Sequence, residues 1–235
     1  MNLSTRSAIP EIMDTQKVDI KLLENVFLDI NKANDLLGGA VITINAVNSL
    51  VQEYPKKEYT IIDMGCGDGT MLRKLALISR KHQAKFSFIG IDLNQMAIDL
   101  AREKSKDFTE IQFVCQDILM LKPDQFTCDI LLCTLTMHHF ENQEIKTFMA
   151  HFIQLSQIGV IVNDLQRSAL ACYLFRLFSG IFIKTKIAKH DGLVSIKRGF
   201  KKKDLINLSK SFPKSEHIIS WKWAFRYVWI VKQAN

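Results

Sequence analysis

The sequence predicts an α/β fold built on a mainly parallel sheet, and three observations lead there. From residue 58 onward, short β-branched runs alternate with stretches of helix periodicity. The first run ends in an acid and a glycine-rich turn, "IIDMGCGDGT" at 61–70. The chain has 235 residues, 48% apolar and 23% charged, an ordinary globular composition with enough length to bury a core.

Taken in order, residues 17–36 place Val18, Leu22, Val26, Ile30, Ala33 and Leu37 at three- and four-residue steps, which predicts a helix stopped by the glycines at 38–39. A second helix is expected over 41–52. Then come strand 59–64, helix 69–81, strand 86–92, helix 94–105, strands 111–115 and 128–133, helix 142–155 and strand 158–163. Strands separated by helices of this length are βαβ units. After 165 follow an apolar helix over 168–182, a loop around "KHDGLVSIKRGF" and a short helix near 202–211. In the apolar helix, Leu170, Leu174, Leu177 and Phe178 share a face that is expected to pack into the core, with an apolar substrate pocket or membrane contact as the alternative. The terminal "HIISWKWAFRYVWIVK" is expected to give one or two strands, with no Gly or Pro to mark a turn between Trp221 and Trp229. The expected organisation is an N-terminal helical cap over 1–56 and one structural unit over 57–235, with an insert at about 165–200.

Charge is unevenly placed. Residues 1–160 carry 16 Lys and Arg against 20 Asp and Glu, a net −4, and residues 161–235 carry 15 against 4, a net +11. The basic third could be a solvated surface or could face a membrane, a nucleic acid or an anionic substrate. No apolar run is long enough for a spanning helix, and "MNLSTRSAIPEIMD" lacks the apolar stretch of a secretory signal. Five cysteines without a C-x-x-C pair read as reduced, buried thiols, which fits a cytoplasmic protein and leaves contact with a membrane surface open.

A strand ending in Asp63, then Gly65, Gly67 and Gly69, then a helix, presents backbone N–H groups to a ligand with no Cβ in the way. A dinucleotide-binding turn wants its third glycine at position 70, where Thr70 stands, so a nicotinamide oxidoreductase is disfavoured. The alternate spacing D-x-G-x-G-x-G resembles motif I of the class I S-adenosylmethionine-dependent methyltransferases. Three further segments resemble that family in order: "FIGIDLNQMAIDLAR" (88–102), "IQFVCQDIL" (111–119) and "CDILLCTLTMHHF" (128–140). The resemblance covers roughly 57–165. It implies a Rossmann-like seven-stranded, mostly parallel sheet with helices on both faces and the last strand antiparallel.

It also implies S-adenosyl-L-methionine as cofactor, held by Asp63, Gly65, Gly67, Gly69, Asp92, Leu93, Asp117, Ile118 and Thr134. Asp92 would accept the ribose hydroxyls, Asp117 would face the adenine amino group and Ile118 would pack on the ring. His138 and His139 follow the fourth strand, at the rim where α/β folds bind ligands. An imidazole with an ordinary pKa of about 6.5 suits a general base, so both are candidate catalytic residues, with pocket shaping as the alternative. No other histidine completes a metal-ligand spacing, and no metal is expected. Asn163, Asp164, Arg167 and His190, with Asp191 beside the last, are candidate acceptor-binding residues.

A looser resemblance, carried by the N-terminal segment and by 159–200, is to small-molecule methyltransferases near the ubiquinone/menaquinone enzymes and those of polyketide and aryl-polyene pigment pathways. It implies O-methylation of a small aromatic or lipophilic acceptor, with nucleic acid an unexpected partner. An RNA-modifying methyltransferase using the basic third and a catalytically silent S-adenosylmethionine-binding protein are the competing readings.

Overall fold

The computed structural model describes residues 3–15, 18–122 and 125–233. Three helices come first: α1 (Ile12–Thr15), α2 (Ile20–Leu36) and α3 (Gly39–Glu53). The alternating core follows as β1 (Glu58–Met64), α4 (Thr70–Ser79), β2 (Lys85–Asp92), α5 (Gln95–Lys104), β3 (Ile111–Cys115), β4 (Cys128–Thr134), α6 (Asn142–Leu155) and β5 (Ser156–Leu165). Then come α7 (Ala169–Phe182), α8 (Lys186–Arg198), α9 (Lys202–Ser209), β6 (Ser215–Lys222) and β7 (Arg226–Gln233).

The seven strands form one sheet in the order β3-β2-β1-β4-β5-β7-β6. The pairs among β1 to β5 are parallel, and β7 runs antiparallel to both β5 and β6. Successive side chains of a strand point to opposite faces, so a sheet covered on both sides needs apolar residues at nearly every position. In β1, Ile61 faces a core made with α3, α4 and α5, including Leu50, Leu72 and Ile98. Ile62 faces the opposite core, made with α6 and α9, including Phe148, Phe152 and Leu205.

Several boundaries differ from the expectation. α2 begins at Ile20, where the Asp19 side chain accepts from the Leu22 N–H and so caps the first turn. Lys17, the expected start, lies outside the described residues. α3 covers the sheet rather than belonging to a cap, since its Val47 and Leu50 sit in the first core. The cap over the strand ends is built instead from α1, α2, α7 and α8, through small clusters around Val26, Ile183 and Ala188 and around Ala171, Cys172 and Ile196.

"KHDGLVSIKRGF" is mostly the helix α8, not a loop. Thr185 caps it by accepting from Ala188 N–H. Its glycine is there for space, because a Cβ on Gly192 would collide with the Phe175 ring of α7. Of the expected core face of α7, Leu174 and Phe178 line a cavity, while Leu170 and Leu177 point outward. Only Ala171, Cys172 and Ser179 of this helix are buried, whereas Leu170, Leu177 and Ile181 are 56%, 53% and 77% exposed. The terminal segment is two strands, turned at 223–225 with Phe225 in the left-handed region (φ 53°). All five cysteines are free, and Cys115 is exposed rather than buried.

Candidate active site

The glycine turn lies where β1 meets α4, next to the end of β2. Gly65 takes φ 75°, and a Cβ there would strike the Thr136 side chain, so this close approach of two loops excludes other residues. Asp92 ends β2 and accepts from the Gly67 N–H at 2.9 Å and the Asn94 N–H at 2.9 Å. Burial raises its carboxyl, and those two N–H groups oppose the shift. Asn31 of α2 donates to Asp68 at 3.1 Å and so ties the cap to the turn.

Asp63 is buried beneath the turn, and its Oδ1 has no hydrogen-bond partner. Burial, with the nearby Asp92 charge adding to it, pushes its carboxyl up to about 8. An orphaned buried carboxylate oxygen on a cavity wall needs a cationic or N–H partner from a ligand. The methionine ammonium of S-adenosylmethionine meets that need. Leu93, Met96 and Ile118 line the same end of the cavity and offer apolar surface to an adenine ring. The residues present fit this cofactor.

The histidines sit on a single 3-10 turn after β4, Met137–His139. His138 is buried with both ring nitrogens engaged: Nδ1 lies 2.7 Å from Asp164 Oδ1 and Nε2 3.2 Å from Glu11 Oε1. Burial alone would lower its pKa, but the Asp164 charge and the bonds to both carboxylates hold it up at about 9. Burial alone would raise Glu11, yet the bond from His138 and the charges of His139 and His138 take it down to about 2. His138 is therefore an imidazolium clamped between two carboxylates. One oxygen or nitrogen each from Glu11, His138 and His139 lies within 4.8 Å of the others, and both His138 nitrogens are engaged by carboxylates.

His139 faces the cavity beside it. Its Nδ1 lies 2.8 Å from Asp14 Oδ2, and its Nε2 is 3.9 Å from Glu11 Oε2. The N-terminal strap that brings Glu11 and Asp14 here is held by α8. The Asp191 carboxylate accepts from Ile12 and Met13 N–H, and Ser195 donates to Glu11 at 2.6 Å. Arg6 donates to the carbonyls of His138 and Phe140 at 2.9 and 2.8 Å, and Arg198 donates to that of His138 at 3.0 Å.

These parts line one cavity of about 980 Å³, near the upper end of small-molecule sites and able to hold two ligands side by side. Asp63, Gly65, Gly67, Asp92, Leu93 and Ile118 line it, as do Thr134, His138 and His139. Gly69 and Asp117 do not. Asp117 spends its carboxylate on the Leu119 N–H, capping the short turn after β3. The Thr134 hydroxyl pairs with Thr43 at 3.3 Å.

Of the five expected acceptor residues, Asp191 lines the cavity, and the other four lie off it, each for a structural reason. Asn163 is buried and donates to Gly39 O and Thr43 Oγ1. Asp164 holds His138. Arg167 is buried against Gly199 O and Asp204. His190 points outward beside Asp191. The far lobe is walled instead by Leu165, Phe175, Phe178, Trp223, Phe225 and Arg226. Sequence reasoning missed Glu11, Asp14 and Arg226, because contacts across more than a hundred residues leave no local pattern.

A parallel sheet with an antiparallel β7, a glycine turn and a strand-end acid define a Rossmann-like fold. Residues 61–159, from β1 into β5, match the family described as "Methyltransferase domain". The chain is similar to that family over this stretch. It is similar to the ubiquinone biosynthesis O-methyltransferase of Coxiella burnetii, 28% identical over 107 residues. That match covers 43% of this chain and 43% of the relative. Its fold is similar to that of the plantazolicin methyltransferase BpumL in complex with SAH, with a TM-score of 0.66 at 14% identity over 91% of this chain and 95% of that one. Magnesium protoporphyrin IX methyltransferase from Synechocystis PCC 6803 with bound SAH gives a TM-score of 0.56 at 15% identity over 93% and 90%.

Proposed function

We propose that the protein transfers the methyl group of S-adenosylmethionine to a hydroxyl of a small aromatic or lipophilic acceptor. The observation that carries this is the Asp14–His139 pair, set on the cavity between the glycine-turn end and the apolar far lobe. When bound, the cofactor supplies an electrophilic methyl on its sulfonium.

Asp63 would hold the methionine ammonium, Asp92 would accept ribose hydroxyls, and Leu93 and Ile118 would pack on the adenine. With Nδ1–H donated to Asp14, His139 offers Nε2 to the acceptor's hydroxyl proton. The apolar far wall aligns the acceptor and excludes water. His138 does not act as a base, because both its nitrogens already hold protons donated to carboxylates. The O-methyltransferase relative supports oxygen as the atom methylated.

The same reading sets the protein against an anionic membrane surface. Among the described residues no helix is long and apolar enough to cross a membrane. α7, however, shows water an apolar face of Leu170, Tyr173, Leu177 and Ile181, with exposed Arg176, Lys184 and Lys186 beside it. An amphipathic helix of this kind lies in the headgroup region.

Transfer of a labelled methyl to a panel of phenols and hydroquinones tests the chemistry. Activity on at least one of them, lowered about 100-fold in His139→Ala with SAH affinity unchanged, is the expected result. Full activity in that variant removes His139 from the mechanism, and product only with RNA would replace the acceptor class.

A further inference from the structure

Arg226 opens β7 at the cavity wall and is 3% exposed. Its Nε and Nη1 have no hydrogen-bond partner, and no carboxylate among the described residues forms an ion pair with it. The half-buried Arg6 and the buried Arg167 are satisfied. Arg6 donates to three backbone carbonyls and to Asn142, and Arg167 donates to Gly199 O and pairs with Asp204. Burial pushes the Arg226 guanidinium down to about 10, opposed by the charge of Asp164, which is itself committed to His138. A guanidinium at that value still stays charged at neutral pH. The fold thus keeps an uncompensated cation in a dry wall, an arrangement that is costly until an anion arrives.

The planar fork of Arg matches a carboxylate bidentately. The guanidinium packs on the bare Cα of Gly39, beside Asn34, whose Oδ1 is also without a partner. Around it the cavity is lined by Leu165, Phe175, Trp223 and Phe225. A carboxylate could come from the methionine end of the cofactor or from the acceptor, and the sheet favours the acceptor. From Asp63 the path to Arg226 crosses three strand spacings, β1 to β4 to β5 to β7, about 14 Å in all. Along the strands, Asp63 pairs with Leu132 and that row continues through Ile161 to Ile230, four residues from Arg226. The Arg226 side chain shortens that backbone span by reaching over Gly39, but the ammonium and carboxylate of methionine share one carbon and cover little of it, which favours the acceptor.

Building on the acceptor reading above, we propose that Arg226 is a carboxylate subsite. The acceptor is then an apolar hydroxy acid, anchored by its carboxylate on Arg226 while its hydroxyl lies at His139.

The test titrates SAH-loaded protein calorimetrically with 2-naphthoate and with 2-naphthamide, and titrates SAH into the free protein, for wild type, Arg226→Gln and Arg226→Lys. The expected result is wild-type preference for naphthoate of about tenfold or more. That preference falls to near unity in Arg226→Gln and to an intermediate value in Arg226→Lys, with SAH affinity within about twofold of wild type throughout. Thermal melts of free Arg226→Gln should match or exceed wild type, since an unpaired buried charge has been removed. Four results would overturn the proposal: no naphthoate binding or no preference in wild type, a preference kept by Arg226→Gln, a large drop in SAH affinity in that variant, or a lowered melting temperature. The third assigns Arg226 to the cofactor and the fourth to the packing. Failure of wild type to bind SAH at all would instead strike at the cofactor assignment.

Discussion

His138 and His139 share one turn but not one environment. His138, between Asp164 and Glu11, is held as an imidazolium, and His139, with Asp14 on one nitrogen and Glu11 Oε2 3.9 Å from the other, lines the cavity. Removing the first leaves two carboxylates buried without a counter-charge. His138→Ala should cost about 3–5 kcal/mol in urea unfolding, and an unchanged midpoint would contradict the clamp. The pair also sets a pH window. His138, raised to about 9 from 6.5, gives stability that is complete below about 6.5 and lost as pH rises through 9. Glu11, lowered to about 2 from 4.5, gives stability complete above about 4.5 and lost as pH falls through 2. Asp63 behaves differently. Raised to about 8 from 3.8, it withholds stability progressively as pH climbs toward 8, because its charged form is disfavoured in the free protein. An arriving ammonium reverses that preference, so SAH binding near pH 7 should release a proton. Calorimetry in phosphate and in Tris, whose ionisation heats differ, reads it as unequal apparent enthalpies; equal enthalpies would place the ammonium elsewhere.

At the scale of elements, the region from β1 to β5 was legible because each strand is a short apolar run between helix patterns, and because the glycine turn and Asp92 lie close together in sequence. The segments around that core were not. α8 carries Gly192 in its middle, which reads as a loop until the Phe175 ring beside it is seen. α7 shows helix periodicity, but periodicity does not say whether an apolar stripe faces inward or outward. The β6–β7 turn has no Gly or Pro, since Phe225 itself takes the left-handed conformation. The acceptor residues were sought at the end of β5, where the residue types looked suitable, and those side chains serve the packing of α3, α9 and the strap. The outward stripe of α7 makes its own prediction. Leu177→Glu with Ile181→Glu should reduce co-sedimentation with phosphatidylglycerol vesicles about tenfold or more without lowering the melting temperature, because both residues are over half exposed. Equal sedimentation would remove α7 from the membrane account.

Across the whole molecule, the acidic first two thirds carry the sheet and the cofactor end, and the basic last third carries the far lobe, α7 and the closing strands. On the proposed membrane reading, that asymmetry would draw the exposed stripe to anionic surfaces, and raising the salt should weaken vesicle binding accordingly. The halves meet at one cavity, where the N-terminal strap, the rim of the sheet and the α7–α8 pair each supply a wall. Everything proposed for the acceptor depends on the cofactor lying at the glycine-turn end of it. The most direct measurement is calorimetric titration of S-adenosylmethionine and SAH into wild type and Asp92→Ala, with NADH as a control. The account predicts micromolar binding of the first two by wild type, its loss in the variant, and none of NADH. Binding that survives in Asp92→Ala, or no binding by wild type, would contradict it.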